Sequence, residues 1–215
     1  MNSFGWLFTF GLIASSGYVI NFDNAPLGQV PSGWTIPASR GSCRWEIRRD
    51  PSARTQPYVF AQVGKDPRPD GFSLAILNKV SLRDGDISVR LKPVSGELDQ
   101  AGGLVFRYRD DKNYYLVRAD ARTRQVSVYR VEDGKVLPLR PRGVPASVFS
   151  VKHDIVPNTW NILKVSVRGN RFQVYVNHRR ILQADDPSQP SWGKVGLVTV
   201  SDSVTYFDDF RVNPK

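Results

Sequence analysis

Residues 101–124 read AGGLVFRYRDDKNYYLVRADARTR, and the fold follows from how this stretch divides. Asp110, Asp111, Lys112 and Asn113 are turn-prone or poor strand formers set between two runs rich in Val, Phe and Tyr, the pattern of a β-hairpin. With Arg109 opposite Tyr114 across the turn, the period-2 alternation of a strand puts Leu104, Phe106, Tyr108, Tyr115, Val117 and Ala119 on one face. Val105, Arg107, Arg109, Tyr114, Leu116, Arg118 and Asp120 fall on the other. The first face is core. The second carries three arginines, a tyrosine and a carboxylate on a rigid support, which makes it the leading candidate for a binding surface.

Outward from the hairpin, the same alternation recurs. Residues 43–48, 58–63 and 72–77 read as strands, and 86–92 places Ile87, Val89 and Leu91 inward with Ser88, Arg90 and Lys92 outward, so Arg90 joins the arginines of the hairpin. Residues 125–131 and 136–139 flank Glu132-Asp133-Gly134-Lys135, whose Asp-Gly signals a tight turn. Residues 140–157 form a long loop. In 160–168, Leu163, Val165 and Val167 alternate with Lys164, Ser166 and Arg168, and turns at Gly169-Asn170 and Asn177-His178 lead into strands 172–176 and 180–184. Strands 194–200 and 204–212 close the chain. No dozen-residue window has helical periodicity, so the expected fold is all-β: about a dozen strands in a two-sheet antiparallel jelly-roll sandwich.

A chain of 215 residues, 40% hydrophobic and 23% charged, with 15 prolines and 17 glycines, suits one such domain joined by many turns. Residues 1–16 carry no charge, and an apolar run from Phe4 to Ile13 leads into Ala14-Ser15-Ser16, which fits a secretory leader cleaved near Ser16. The expected organisation is a signal peptide over 1–16 and a jelly-roll domain over 17–215, secreted or periplasmic. The bland alternative for Gly5-Trp6-Leu7-Phe8-Thr9-Phe10 is a buried first strand, and secreted material still beginning at Met1 would favour it. The apolar run falls short of the ~20 residues a membrane span needs. Cys43 stands alone, so no intrachain disulfide forms and a monomer held by its core is expected. The net charge of +10 favours anionic partners, yet the basic residues are scattered along alternating strands with no basic helix or recognition motif, which argues against nucleic acid.

Four stretches together carry a resemblance: GGLVFRYRDDKNYYLVRADA, WNILKVSVRGNRFQVYVNHRRIL, the GKVGLVTVSDSVTYFDDFRV ending, and the early P-x-GW with W-E-I-x-x-DP. They resemble the concanavalin A-like, laminin-G-like jelly rolls, most closely the bacterial 3-keto-disaccharide hydrolase type. The resemblance spans roughly residues 22–212 and implies a sandwich whose concave face handles carbohydrate. Where that family is expected to show GLWTKADS, this chain has Gly196-Leu197-Val198-Thr199-Val200-Ser201-Asp202-Ser203, without the Trp and the Lys.

Catalytic signals are sparse. A retaining glycosidase needs two carboxyl groups about 5 Å apart, but the chain has only Glu46, Glu97 and Glu132 and no E-x-D-x-E strand. There is no G-x-S-x-G, and His153 and His178 both lie in loop or turn. His153-Asp154 is a candidate acid-base or metal pair set against a solvated loop. Ca²⁺ is a softer candidate, through Asp23, Asp208 and Asp209 near the chain ends; against it, Asp208-Asp209 reads as a bulge reversing faces between Phe207 and Phe210. Guanidinium groups fork to hydroxyl pairs and carboxylates, and an aromatic supplies stacking. The expected ligand site is therefore Arg90, Arg107, Tyr114, Arg118 and Lys164, taking a carbohydrate, acidic glycans included. The bland reading pairs Arg118 with Asp120 or Asp86. Two rivals remain open, a hydrolase or lyase acting on keto-glycosides and an interaction domain with no small ligand.

Overall fold

The computed structural model describes residues 17–37, 43–55, 57–65, 71–188 and 191–215; the expected leader lies outside them. Among the described residues sixteen strands run in chain order as β1 (Tyr18–Ile20), β2 (Trp34–Thr35), β3 (Trp45–Arg49), β4 (Tyr58–Gln62), β5 (Phe72–Leu82), β6 (Gly85–Ser95), β7 (Ala101–Asp110) and β8 (Asn113–Asp120). They continue as β9 (Gln125–Glu132), β10 (Lys135–Leu139), β11 (Val151–Lys152), β12 (Asn161–Arg168), β13 (Arg171–Val176), β14 (Arg179–Asp185), β15 (Gly193–Val200) and β16 (Val204–Pro214). Among the described residues no helix is long and apolar enough to cross a membrane.

Two antiparallel sheets pack face to face. The first has the order β14-β13-β12-β6-β16-β4-β3, and β1 follows β4 along the same side of β16. The second has the order β10-β9-β8-β7-β15-β5-β2, with β11 beside β9. Hairpin neighbours alternate with distant ones, such as β6 beside β12 and β16 and β15 between β7 and β5, as jelly-roll connections require, and the expected sandwich is what forms. Phe106, Tyr115, Val117, Val165, Phe172 and Val174, the apolar halves of alternating strands, are all buried between the sheets. At the other end of the core Trp34 packs edge-on against Phe60 and Phe210, and Trp45 stacks on Phe207 at 5.6 Å.

Two bulges break the alternation. Between Phe106 and Asp110, three residues of β7 stand opposite the single Tyr114 of β8. The Asp110–Asn113 pair at the tip agrees with Arg109 opposite Tyr114, but further in the pairing is Phe106 with Tyr115. Arg107 takes a positive φ of 50° there. The rotation turns its side chain in beside Phe106 and sends Tyr108 out against Tyr114, so the expected faces of Arg107 and Tyr108 are both reversed. The second bulge lies at Asp208-Asp209, as the face count suggested: Phe207 and Phe210 are both fully buried.

This second bulge leaves the Asp208 carboxylate fully buried, accepting from the Thr55 hydroxyl at 2.9 Å and from the Asp209 amide at 2.7 Å, with no ion pair among the described residues. Burial pushes its pKa up, and the Thr55 bond offsets this only in part. The folded state therefore favours the protonated acid, so the group's contribution to stability is full below the unfolded carboxyl pKa and is lost as pH rises through the raised folded value. Asp208→Asn, which holds the site neutral, is expected to raise the urea midpoint at pH 7, with the gain fading towards pH 4. A lower midpoint at pH 7 would mean that the fold depends on the charge.

Candidate functional site

The five residues expected to form one ligand surface do not share a face. Arg90 and Lys164 point outward from the first sheet, between core positions Val89, Leu91, Leu163 and Val165. Arg90 Nε donates to Asp209 at 3.2 Å, and the Lys164 ammonium lies 3.1 Å from Asp86 and over the Tyr175 ring. Tyr114 and Arg118 point outward from the second sheet, on the far side of the sandwich. Arg118 is clamped between Asp99 and Asp120; burial opposes its charge, but the two carboxylates outweigh it and raise the pKa. Arg107 lies inside. Its guanidinium donates to the carbonyl oxygens of Arg83 at 2.9 Å and Gly169 at 2.7 Å, and sits over the Phe172 ring.

Of the five, Arg107 and Tyr114 meet at one place, a cleft of about 290 Å³ at the β7–β8 hairpin end of the sandwich. Arg109, Asn113, Arg130, Glu132, Ser188 and Ser191 complete its polar lining. Period-2 alternation on β9 turns Arg130 inward with Val126 and Val128, but at the strand end, where the sandwich opens and a charge can reach water. Its Nη2 donates to Glu132 at 2.9 Å and its Nη1 to the Ser188 hydroxyl and to Asp186 at 3.3 Å; its buried Nε has no partner. Asp186 organises the floor, accepting from the Tyr115 hydroxyl at 3.1 Å and from the Ser188 amide at 2.9 Å. Burial, followed by the Asp186 charge, pushes the Tyr115 phenol up, and burial does the same for Tyr114, so both remain neutral hydrogen-bond donors at physiological pH.

An exposed cation lines the cleft and an exposed indole adjoins the lining in sequence. Arg109 is exposed, makes no salt bridge or hydrogen bond among the described residues, and interacts electrostatically with Asp110. Trp192 follows Ser191 directly and is 62% exposed. An exposed indole, an exposed guanidinium, a guanidinium-carboxylate pair, a side-chain amide and two serines can stack on and hydrogen-bond a polyhydroxylated ligand. Alternation within one strand could not single out Arg130, Glu132, Ser188, Ser191 or Trp192. The one available signal was a Trp standing among the turn residues Pro190, Ser191 and Gly193.

The remaining candidates have other partners. On the outer side of the first sheet Lys92 bonds Asp50 at 2.8 Å and Ser52 at 2.9 Å, and the Trp160 indole donates to Ser52, so this cluster is closed on itself. Asp23 accepts from the Tyr58 amide, Asp208 from Thr55, and Asp209 from Arg90 and Arg211, three separate settings. Among the described residues no group of three or more His, Cys, Asp or Glu side chains is placed to hold a metal ion. The Cys43 thiol contacts the Ser73 hydroxyl. His153 and Asp154 line a different cleft.

The levanase of Bacillus subtilis (strain 168) is 31% identical over 147 residues, 68% of this chain and 20% of the levanase, so the chain spans about a fifth of that relative. The carbohydrate binding module CBM66 from Bacillus subtilis superposes with a TM-score of 0.60 at 23% identity, covering 83% of this chain and 94% of the module. The cellulose-induced protein Cip1 gives 0.63 at 12% identity over 92% of this chain and 97% of its own. The beta-glucanase of Bacillus licheniformis gives 0.57 at 12% identity, covering 89% and 97%. At these identities the structures speak for the jelly-roll fold alone. Residues 24–213 match the family model itself, and the chain belongs to the 3-keto-alpha-glucoside-1,2-lyase-like domain family.

Proposed function

We propose that this protein is an exported carbohydrate-binding jelly roll that takes its glycan in the cleft at the β7–β8 hairpin end. The observation that carries this reading is the exposed Trp192 next in sequence to a lining that holds the exposed Arg109 and the Arg130–Glu132 pair. The levanase relative, the CBM66 likeness and the family support a carbohydrate as the ligand class. The uncharged apolar run from Phe4 to Ile13, which fits a secretory leader, supports export. Binding is favoured over hydrolysis because the two carboxylates at the cleft among the described residues, Glu132 in its lining and Asp186 on its floor, are both already held by Arg130.

Calorimetric titration with levan oligosaccharides and with a 3-keto-α-glucoside tests both the ligand and the site. Charge-assisted hydrogen bonds contribute about 1.5 to 3 kcal/mol, so Arg109→Ala is expected to weaken binding roughly ten- to a hundred-fold. Trp192→Ala should do likewise through lost stacking. Both side chains face solvent, so unfolding free energies from urea denaturation should stay within about 0.5 kcal/mol of wild type. Full affinity in both variants, with losses in Arg90→Ala and Lys164→Ala instead, would move the site to the outer face of the first sheet. The family's name favours a second reading, elimination on a 3-keto-glucoside with Glu132 as the base. Turnover of that glucoside, lost in Glu132→Gln, would establish it.

A further inference from the structure

A second cleft, of about 460 Å³, is lined by Thr123, Arg124, Lys152, His153, Asp154 and Arg179. We propose that it is an oxyanion-binding subsite, built to hold the sulfate or carboxylate groups of an acidic glycan.

The cleft draws its cations from both sheets and fixes the backbone beneath each. Arg124 sits in the β8–β9 turn at a φ of 53°, and its carbonyl accepts from the His153 amide at 2.9 Å. Lys152 lies on β11, in register with Gln125 of β9. Arg179 opens β14 directly after Asn177 and His178, both at positive φ, and the Asn177 side chain accepts from the Ile162 amide at 2.8 Å. These basic residues are therefore carried by hydrogen-bonded backbone, as a recognition site requires.

Their charge is poorly compensated. Several basic side chains elsewhere in the fold are paired closely: Arg90 with Asp209, Lys92 with Asp50, Arg118 with Asp99 and Asp120, Arg168 with Asp86. Among the described residues of this cleft, three basic side chains, Arg124, Lys152 and Arg179, stand with one carboxylate, Asp154. Asp154 reaches Arg124 only at 3.7 Å, with both side chains over 70% exposed, a geometry that contributes almost nothing. Lys152 and Arg179 are exposed and have no carboxylate in ion-pair range among the described residues. Like charges gathered around a concavity repel one another and focus a positive potential there, an arrangement that an incoming anion relieves. The volume admits more than a lone ion.

An acidic glycan fits better than nucleic acid, because no Phe, Tyr or Trp lines the cleft among the described residues and the single His153 imidazole is a small platform for stacking bases. It fits better than an anionic membrane, because the cations ring a cleft instead of forming an exposed polybasic run. The glycan half of this assignment rests on the carbohydrate reading above; the anion half stands on the charges alone.

The test uses the whole domain with a sulfated dextran oligosaccharide, a polygalacturonate oligosaccharide and uncharged dextran. Single-stranded DNA and phosphatidylserine vesicles are run beside them. The expected result is binding of at least one acidic oligosaccharide that falls with added salt, and at least a ten-fold loss of that binding in Lys152→Glu/Arg179→Glu. The same variant should bind levan oligosaccharides as wild type does and unfold at the same urea concentration. Trp192→Ala should leave acidic binding intact, which separates failure of this site from failure of the neutral-glycan cleft. Acidic oligosaccharides that do not bind, or that bind the charge-reversed variant equally, overturn the assignment. DNA or vesicle binding in their place, lost on charge reversal, overturns the glycan as ligand.

Discussion

Arg107→Ala is expected to cost about 3 to 5 kcal/mol of folding stability, as much as losing a large core side chain. The Arg107 side chain is 1% exposed, and its guanidinium ties the Arg83 carbonyl to the Gly169 carbonyl, with Asp84 at 3.5 Å and the Phe172 ring beneath. Burial pulls its pKa down and the Asp84 charge opposes that. Removing the side chain strands two carbonyls where water enters poorly, each at about 1 to 3 kcal/mol, and empties the space its methylenes filled. Arg107→Lys should recover only part of the loss, because an ammonium cannot reproduce the planar fork that reaches both carbonyls. Urea denaturation measures both variants. An Arg107→Ala protein within about 0.5 kcal/mol of wild type would show that this contact between the sheets holds nothing together.

Phe106→Ala is expected to cost a similar amount, about 3 to 5 kcal/mol, by a different route. Phe106 is fully buried, stacked on Tyr115 at 5.4 Å and edge-on to Phe172 of the opposite sheet at 5.1 Å. Truncation removes the ring's transfer energy and leaves a cavity between two sheets that cannot close on it without moving β7. The two substitutions share Phe172, so their costs should not add, and a double variant measures the coupling. A loss below about 1 kcal/mol for Phe106→Ala would mean that Tyr115 and Phe172 collapse into the gap.

The adjacency of these two inward side chains explains why the site was only half legible. Alternation assumes that consecutive residues of a strand face opposite ways, and it sorted the β6, β8, β12 and β13 residues correctly. It failed at Arg107, where the chain bulges. A Cβ at Gly193 would lie 2.3 Å from the Arg107 carbonyl carbon, so the bulge is accommodated by a glycine on β15, far along the chain. Nothing within the hairpin announces it.

The β-sandwich, the hairpin tips and most of the buried set are determined by the sequence alone, because they rest on local physics: period-2 burial, and turn residues such as Asp133-Gly134, which adopt the positive φ values of 49° and 77° that a two-residue hairpin loop needs. Only the tertiary structure decided which charged residues meet. Alternation says that a side chain points out, but not out of which sheet, and sheet membership is set by strand pairings between distant segments, such as β6 with β12 and β7 with β15. Arg90 and Lys164 were thereby carried to one side of the sandwich and Tyr114 and Arg118 to the other. Arg109 and Arg130 were drawn to one cleft by the pairing of β7 with β8 and of β8 with β9, and Ser191, which precedes Trp192 in sequence, joins its lining.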